Sequence, residues 1–384
     1  MIKVQGMFVT VNDDGSTITS KVKRYSTYAE MVEDSAPEQF AIVDENNTVY
    51  HRVDDQWVIG FPNIDRDDDY TAFEVYANDT VIPVGYCEAL GGEVREEIPV
   101  GMTHKFVVRG STPQEEQDVV VDWGDGTIEE LKNIIPASEI HKELDDDKYS
   151  SGSYSVIYSM EHTNDKPGKY IVKVFGTTYK HIQCDEDADD GDQCNLICRI
   201  FDKDLPIASH LNTFDSMCRF AKRLLSVNLC GTGGSRFLMA YNVYMTFSDC
   251  TNLLSATGFN KYAKFKYIGG IFRGCSNLIT TDFVIPQWTI SCTAAFYGCV
   301  ALVADVAKIL PQGVGFSGTS IEVDRLFTYD SNLYGTVPAA MLWESTTVNF
   351  VGDKKNGLTQ VFKKCSTELM AQVPTTWGGT KTEE

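Results

Sequence analysis

"FRGCSNL", residues 272–278, is the stretch on which the reading of this chain turns. Cys275 stands close to Arg273, and a basic neighbour is one way a thiol becomes a nucleophile. Set against the rest of the last third, Cys275 is instead one rung of a recurring unit. An aromatic-x-x-Cys-x-x-Leu frame appears as Phe247/Cys250/Leu253, Phe272/Cys275/Leu278 and Phe296/Cys299/Leu302. Phe327/Asp330/Leu333 keeps the frame without the Cys, and Phe362/Cys365 is followed one residue late by Leu369. An earlier copy, Cys218/Ala221/Leu224, lies in "CRFAKRLLSV".

The copies start at 218, 247, 272, 296, 327 and 362, so successive starts are 29, 25, 24, 31 and 35 residues apart. Periods of this size mark stacked repeats, leucine-rich ones running ~20–29 residues, so the outer copies carry insertions. A Phe and a Cys three apart share one side of a helical turn, and a Leu three further on is placed to begin an inward-facing strand. One copy cannot bury that face alone, whereas a stack can. Cysteine here is a small apolar residue in a crowded turn, expected to be unreactive.

The unit and its spacing resemble the BspA-like leucine-rich repeats of bacterial surface proteins, over roughly residues 200–375. The resemblance implies a solenoid that binds glycans or proteins without catalysis, through exposed strands and the loops between them. Tyr241, Tyr244, Trp288, Tyr297, Tyr329 and Tyr334 are then the candidate ligand contacts. Aromatic residues at repeat spacing serve equally well as core.

Ahead of the repeats, "VVVDWGDGTIEE" (119–130) and "EHTNDKPGKYIVKVFG" (161–176) read as β-strands around a tight Gly124-Asp125-Gly126 reversal. They resemble PKD-type immunoglobulin-like sandwiches, whose WGDG turn stands at 123–126 and whose late His, Gly and Tyr-x-Val match His162, Gly168, Tyr170 and Val172. The resemblance implies a spacer or adhesion module. Asp122 and Asp125 are two carboxylates in one hairpin, and their glycine neighbours favour a turn over acid–base chemistry, which needs tuned surroundings.

The front alternates like short strands: a hairpin around Asp14-Gly15, a short helix in "YSTYAEMVEDSAP" (25–37), and two strands joined at Asn46-Asn47. Tyr25, Met31, Phe40, Ile42, Tyr50 and Trp57 are its candidate core. "YSTYAEM…QFAIV…NTVYHRVDDQWV" resembles the small N-terminal modules of bacteriophage head-fibre and tail-associated proteins. The combination with a PKD-type sandwich and BspA-like repeats resembles architectures of gut Bacteroides-group bacteria and their phages. It implies attachment to capsid or tail proteins.

Charge separates the two ends. Residues 1–200 hold 40 acids against 17 bases, and residues 201–384 hold 14 against 16, within a net charge of −21. Such a front repels phosphate backbones, so no nucleic-acid partner is expected. "CDEDADDGDQC" (184–194) misses the EF-hand pattern, because from Asp185 the glycine comes one residue late, at Gly191. It reads as a solvated acidic loop; an irregular cation site and a Cys184–Cys194 bridge are the alternatives. "IDRDDDY" (64–70) reads as a linker and "CGTGGSRF" (230–237), lacking the P-loop Lys and spacing, as a loop between repeats.

No catalytic residues, cofactor or metal are expected. The eleven cysteines form no paired CxxC zinc pattern, and the six histidines (51, 104, 141, 162, 181 and 210) show no HExxH. No stretch reaches the ~18–20 apolar residues that cross a bilayer, and "MIKVQGMFVTVNDDGS" has no basic and apolar leader pattern. The expected fold is mainly β and multi-domain: a β-rich anchor module over 1–85, a PKD-type immunoglobulin-like sandwich over 90–182, an acidic linker over 183–200, and a BspA-like repeat solenoid over 201–384. The expected protein is a non-enzymatic, homo-oligomeric (dimeric or trimeric) component of the virion surface, assembled in the host cytoplasm, that binds host-surface glycan or protein. A bacterial BspA-like adhesin and a glycan-active enzyme are the competing readings.

Overall fold

The computed structural model describes residues 2–4, 7–11, 17–26, 30, 40–43, 48–53, 56–59, 70–110, 119–130, 135–136, 156–177, 179–184, 195–211, 213–229, 232–259, 263–311, 315–352 and 354–382. The fold is mainly β with few helices. Its front is a six-stranded sheet ordered β1 (Ile2–Val4), β2 (Met7–Val11), β3 (Thr17–Tyr25), β4 (Phe40–Val43), β5 (Thr48–Val53) and β6 (Gln56–Ile59). The pairs β2–β3 and β4–β5 are antiparallel and flank the two expected turns, while β3 and β4 run parallel. The turn residues themselves, the side chains of the front's candidate core, and most of 25–37 lie outside the described residues; within that stretch the Ser26 N–H donates to the Glu30 carboxylate at 3.0 Å.

Next come two antiparallel sheets. One is ordered β12 (Ile128–Glu130), β11 (Val120–Asp122), β15 (Gly168–Phe175), β7 (Thr71–Ala77), β17 (Ile197–Arg199). The other is β13 (Ile135–Pro136), β14 (Val156–Thr163), β10 (Thr103–Gly110), β16 (Tyr179–Gln183). They pack face to face: Phe73 of the first meets Phe106 of the second edge-on at 5.8 Å, and Trp123 lies 5.4 Å from Phe106. Two segments fall differently from the division by sequence. Thr71–Ala77, within the 1–85 module by its alternating pattern, pairs along its length with Gly168–Phe175, and Ile197–Arg199, within the acidic linker, forms that sheet's edge. Both partners are distant in sequence, so no local pattern announces the pairing.

Behind the sheets the chain winds in successive turns joined by parallel bridges, Thr213 to Asn242 to Tyr267 to Ser291 to Glu322. Short parallel ladders add to this: β18 (Ser226–Asn228), β19 (Ser255–Thr257) and β20 (Thr280–Thr281), then β21 (Ser320–Glu322) with β22 (Asn349–Val351).

The repeat leucines correct one expectation, because Leu253, Leu278 and Leu302 do not begin strands. Each closes a further i→i+3 turn on its own cysteine: Leu253 N–H to Cys250 O at 3.0 Å, Leu278 N–H to Cys275 O at 3.1 Å and Leu302 N–H to Cys299 O at 2.9 Å. A backbone N–H committed to that turn is not offered to a neighbouring strand. The strands β18, β19 and β20 start two residues later, at Ser226, Ser255 and Thr280, after Leu224, Leu253 and Leu278. After Leu302 the ladder shrinks to a single parallel bridge, Asp305 to Tyr334.

Backbone bonds alternate along each turn. Thr246, Ser248 and Cys250 donate within the turn to Val243, Met245 and Phe247, whereas Met245, Phe247 and Asp249 donate across to Gly269, Ile271 and Arg273. The N–H groups of 245–250 are thus all paired, as burial requires. Two left-handed residues bracket each repeat aromatic from Phe247 to Phe327: Met245 and Asp249 (φ 50° and 58°), Gly270 and Gly274 (63° and 71°), Ala294 and Gly298 (54° and 78°), Arg325 and Tyr329 (52° and 71°).

Inside runs an unbroken phenylalanine column. Centroids of Phe247, Phe272, Phe296, Phe327 and Phe362 succeed one another at 5.8, 5.5, 5.9 and 5.3 Å. The three full copies are completely buried: Phe247, Cys250 and Leu253, then Phe272, Cys275 and Leu278, then Phe296, Cys299 and Leu302. "CGTGGSRF", read as a loop, contributes to a short helix, Thr232–Leu238, that carries Phe237 into this core. Gly234 is required there because a Cβ would collide with the Leu229 carbonyl. The column ends under Trp377, whose carbonyl accepts the Phe362 N–H at 3.1 Å.

Sheets and turns share one apolar core, through Leu196, Ile197, Ile200 and Phe201. The excursion between β7 and β10, with its hairpin β8 (Gly85–Cys87) and β9 (Gly92–Val94), lies along the first turns. Asn252 Oδ1 accepts the Arg95 and Glu96 N–H groups at 2.8 and 2.7 Å, and its Nδ2 donates to the Glu96 and Lys222 carbonyls at 2.8 and 3.0 Å.

Candidate functional site

The repeat cysteines place their sulfurs inward. Each donates its S–H to a main-chain oxygen one turn earlier: Cys250 to Cys218 (2.9 Å), Cys275 to Phe247 (3.0 Å), Cys299 to Phe272 (3.1 Å) and Cys365 to Phe327 (2.9 Å). The acceptors are the frame's first residues, Cys218 included. Burial pushes all of these thiols up from their ordinary range, away from the thiolate that attack or metal binding needs. The leucines of the frame, Leu253, Leu278 and Leu302, are buried with them and present nothing to a ligand.

A second ladder, of asparagines, runs beside the thiols. Nδ2 of Asn252, Asn277 and Asn332, each just before the repeat leucine, donates to Lys222, Thr251 and Val300 O of the preceding turn (3.0, 2.8 and 2.7 Å). Its signal is the fuller frame F-x-x-C-x-N-L at 247–253 and 272–278. In the first copy this place is held by Arg223, which turns instead to the sheet module. Its Nε and Nη2 lie 3.0 and 2.5 Å from Asn78 Oδ1, and Nη2 reaches Pro99 O at 3.1 Å.

The WGDG turn engages both aspartates. Asp122 Oδ1 accepts the Gly124 N–H and Asp125 Oδ1 the Thr127 N–H, both at 2.9 Å. Asp125 Oδ2 lies 2.7 Å from His162 Nε2, and the His162 ring stacks on Trp123 at 5.0 Å. Burial raises the Asp125 carboxyl, and the bonds from Thr127 and His162 outweigh it, leaving the group below its usual value. Gly124 (φ 82°) has no room for a Cβ, which would sit 2.6 Å from Ile171 O.

Two groups form among the outer aromatics. Tyr297 and Tyr329 meet at 5.5 Å, with the Arg273 guanidinium 6.0 Å from the Tyr297 centroid and the Lys364 ammonium 4.5 Å from that of Tyr329. Tyr241 meets Tyr267, absent from the candidate set, at 5.3 Å, with Lys266 over its ring at 5.0 Å. Tyr244 is half-buried beside Gly269, Trp288 is half-buried, and Tyr334 is exposed.

A cavity of about 130 Å³ at the junction of sheets and turns is lined by Glu74, Lys169, Cys198 and Arg199 among others. Its charges compensate one another, since Lys169 and Arg199 lie 3.0 and 3.5 Å from the Glu74 carboxylate. Burial and Glu74 push the Cys198 thiol up. Among the described residues no group of three or more His, Cys, Asp or Glu is placed to hold a metal ion, and no helix is long and apolar enough to cross a membrane. The acidic loop between Cys184 and Asn195 and the 64–69 stretch lie outside the described residues. Comparison with known protein families, curated proteins and solved structures finds no match for the chain.

Proposed function

We propose that the chain is a non-enzymatic structural and adhesive component of a bacteriophage virion, a head fibre, decoration or tail-associated protein. In this reading the turns form a BspA-like leucine-rich-repeat solenoid that binds host-surface glycan or protein. The two sheets are a PKD-type immunoglobulin-like spacer, and the front sheet is the anchor to capsid or tail. The observation that carries the binding role is the division of labour within each turn: thiol, phenyl and isobutyl groups are consumed by inter-turn packing, while tyrosines and cations are left outward. A surface built this way recognises partners by its periodic exterior. The virion assignment is supported by the resemblance of residues 25–57 to phage anchor modules, and weak single contacts favour two or three copies through avidity.

Purified particles test this directly, by mass spectrometry of their proteins and immunogold microscopy. The chain should be present and lie at the particle surface. Its absence from particles defeats the virion assignment, and its appearance on bacterial cells in their place favours the surface-adhesin alternative. Saturable binding of the full chain to host cells tests adhesion separately.

A further inference from the structure

Four consecutive turns each contribute one residue to a line on the exterior: Arg273 and half-buried Tyr297, one after the repeat phenylalanine, and Tyr329 and Lys364, two after it. They touch in that order, cation to ring at 6.0 Å, ring to ring at 5.5 Å, and ring to cation at 4.5 Å, and Lys364 Nζ also lies 3.3 Å from the Tyr329 hydroxyl. The backbone beneath is tied turn to turn, Gly274 N–H to Tyr297 O at 2.8 Å, Gly298 N–H to Thr328 O at 2.9 Å and Tyr329 N–H to Lys363 O at 2.9 Å. At ~4.8 Å per hydrogen-bonded step the run is about 14 Å long. The backbone that presents the four side chains of this strip is set before any ligand arrives, so little backbone entropy is lost on binding.

The charge of the strip runs against that of the chain. The whole molecule carries −21, yet among the described residues neither Arg273, Lys363 nor Lys364 pairs with a carboxylate, and the first and last of these rest against aromatic rings. Asp249, on the turn before Arg273, sets its carboxylate against Gly274. Cations held by rings keep their outward hydrogen-bond donors, which suit carboxylate and sulfate oxygens. The Tyr297 and Tyr329 rings meet at 77°, so they offer a corner for the C–H faces of a sugar and not the parallel platforms on which successive nucleic-acid bases stack.

The geometry points to an acidic polysaccharide, bearing carboxylate or sulfate groups, as the ligand of the Arg273–Tyr297–Tyr329–Lys364 strip. This rests on the glycan-binding reading above and names its chemical class.

The full chain is titrated calorimetrically with oligogalacturonate, its fully methyl-esterified form, chondroitin sulfate and oligo-dT. Arg273→Gln, Lys364→Gln and Tyr329→Ala variants are run alongside, with thermal midpoints confirming that each folds. The charged sugars should bind at least about tenfold tighter than the ester, each Gln variant should lose a factor of about five to ten, and salt should weaken binding. Equal affinity for acid and ester, unchanged in the Gln variants, overturns the acidic ligand and leaves glycan binding standing. Failure to bind any sugar probe also overturns it; host-cell binding that persists then preserves adhesion, and its loss removes both. Tighter binding of oligo-dT overturns it in favour of single-stranded nucleic acid.

Discussion

The thiol of Cys275 donates its hydrogen to the main-chain oxygen of Phe247, 3.0 Å away and one turn earlier in the stack. Cys299 repeats the relation with Phe272, and Cys250 with Cys218. A thiol so placed is removed from reagents by burial and from ionisation by desolvation. Native protein treated with iodoacetamide should therefore be alkylated at half-buried Cys87 well before Cys250, Cys275 or Cys299, and those three should react once urea unfolds the chain. Peptide mapping by mass spectrometry reads both states. Fast native alkylation of Cys275 would contradict the packing role.

The repeat thiols were legible because they recur in frame, and Cys250, Cys275 and Cys299 all fall at zero exposure. The leucines were legible as core for the same reason, but not as turn residues: the spacing of Leu278 from Cys275, or of Leu302 from Cys299, is the same whether the leucine ends a turn or starts a strand. The left-handed positions were hidden, because Met245, Asp249, Ala294, Arg325 and Tyr329 share no chemistry. They become visible only once Gly270, Gly274 and Gly298 are seen to occupy the same places. The place of the strand Thr71–Ala77 is hidden in the sequence because its hydrogen-bond partner, Gly168–Phe175, lies far along the chain. Of the candidate contacts, Tyr297 and Tyr329 come together because their turns are adjacent in space, although an insertion separates them in sequence. Tyr267, the ring beside Tyr241, comes from the next turn, 26 residues on, so only the stacking of turns brings the two together.

Arg223 and Asn78 hold the sheet module to the first turn. The guanidinium is fully buried, and burial pulls it down to about 10. Asn78 in turn donates to Thr80 O and Pro99 O, both at 2.9 Å. Removing one partner strands the other's polar atoms away from water, so Asn78→Ala should cost about 3 kcal/mol in urea unfolding. Arg223→Ala should cost as much, and the double variant should cost less than the sum. Strict additivity would show that the two groups do not act as a unit.

Gly274 and Gly298 share the same left-handed place on adjacent turns but differ in their surroundings. A Cβ on Gly298 meets only Gly274 backbone atoms at 3.9 Å, whereas one on Gly274 collides with the Asp249 carboxylate. Gly298→Ala should thus lose about 1 kcal/mol from the backbone conformation alone. Gly274→Ala should lose at least about 1 kcal/mol more. In an Asp249→Ala background the two glycine variants should converge, as thermal denaturation midpoints can verify.

Asp330 occupies the cysteine place of its turn and is completely buried. Oδ1 accepts the Cys299 N–H at 2.9 Å, while Oδ2 has no hydrogen-bond partner among the described residues. Burial pushes this carboxyl well above its usual range, the Cys299 bond offsetting only part of the effect. A carboxyl whose folded value is raised binds its proton more tightly in the native state. Its contribution to stability is complete below the unfolded value of about 4 and drains away as pH rises through the folded one. Asp330→Asn keeps an acceptor for Cys299 and removes the charge. It should leave stability near pH 4 almost unchanged and raise it by about 2 kcal/mol at pH 8, flattening the profile between. Urea midpoints for the two chains across that range measure the difference, and parallel profiles would mean that the carboxyl does not carry a raised proton affinity in the folded protein.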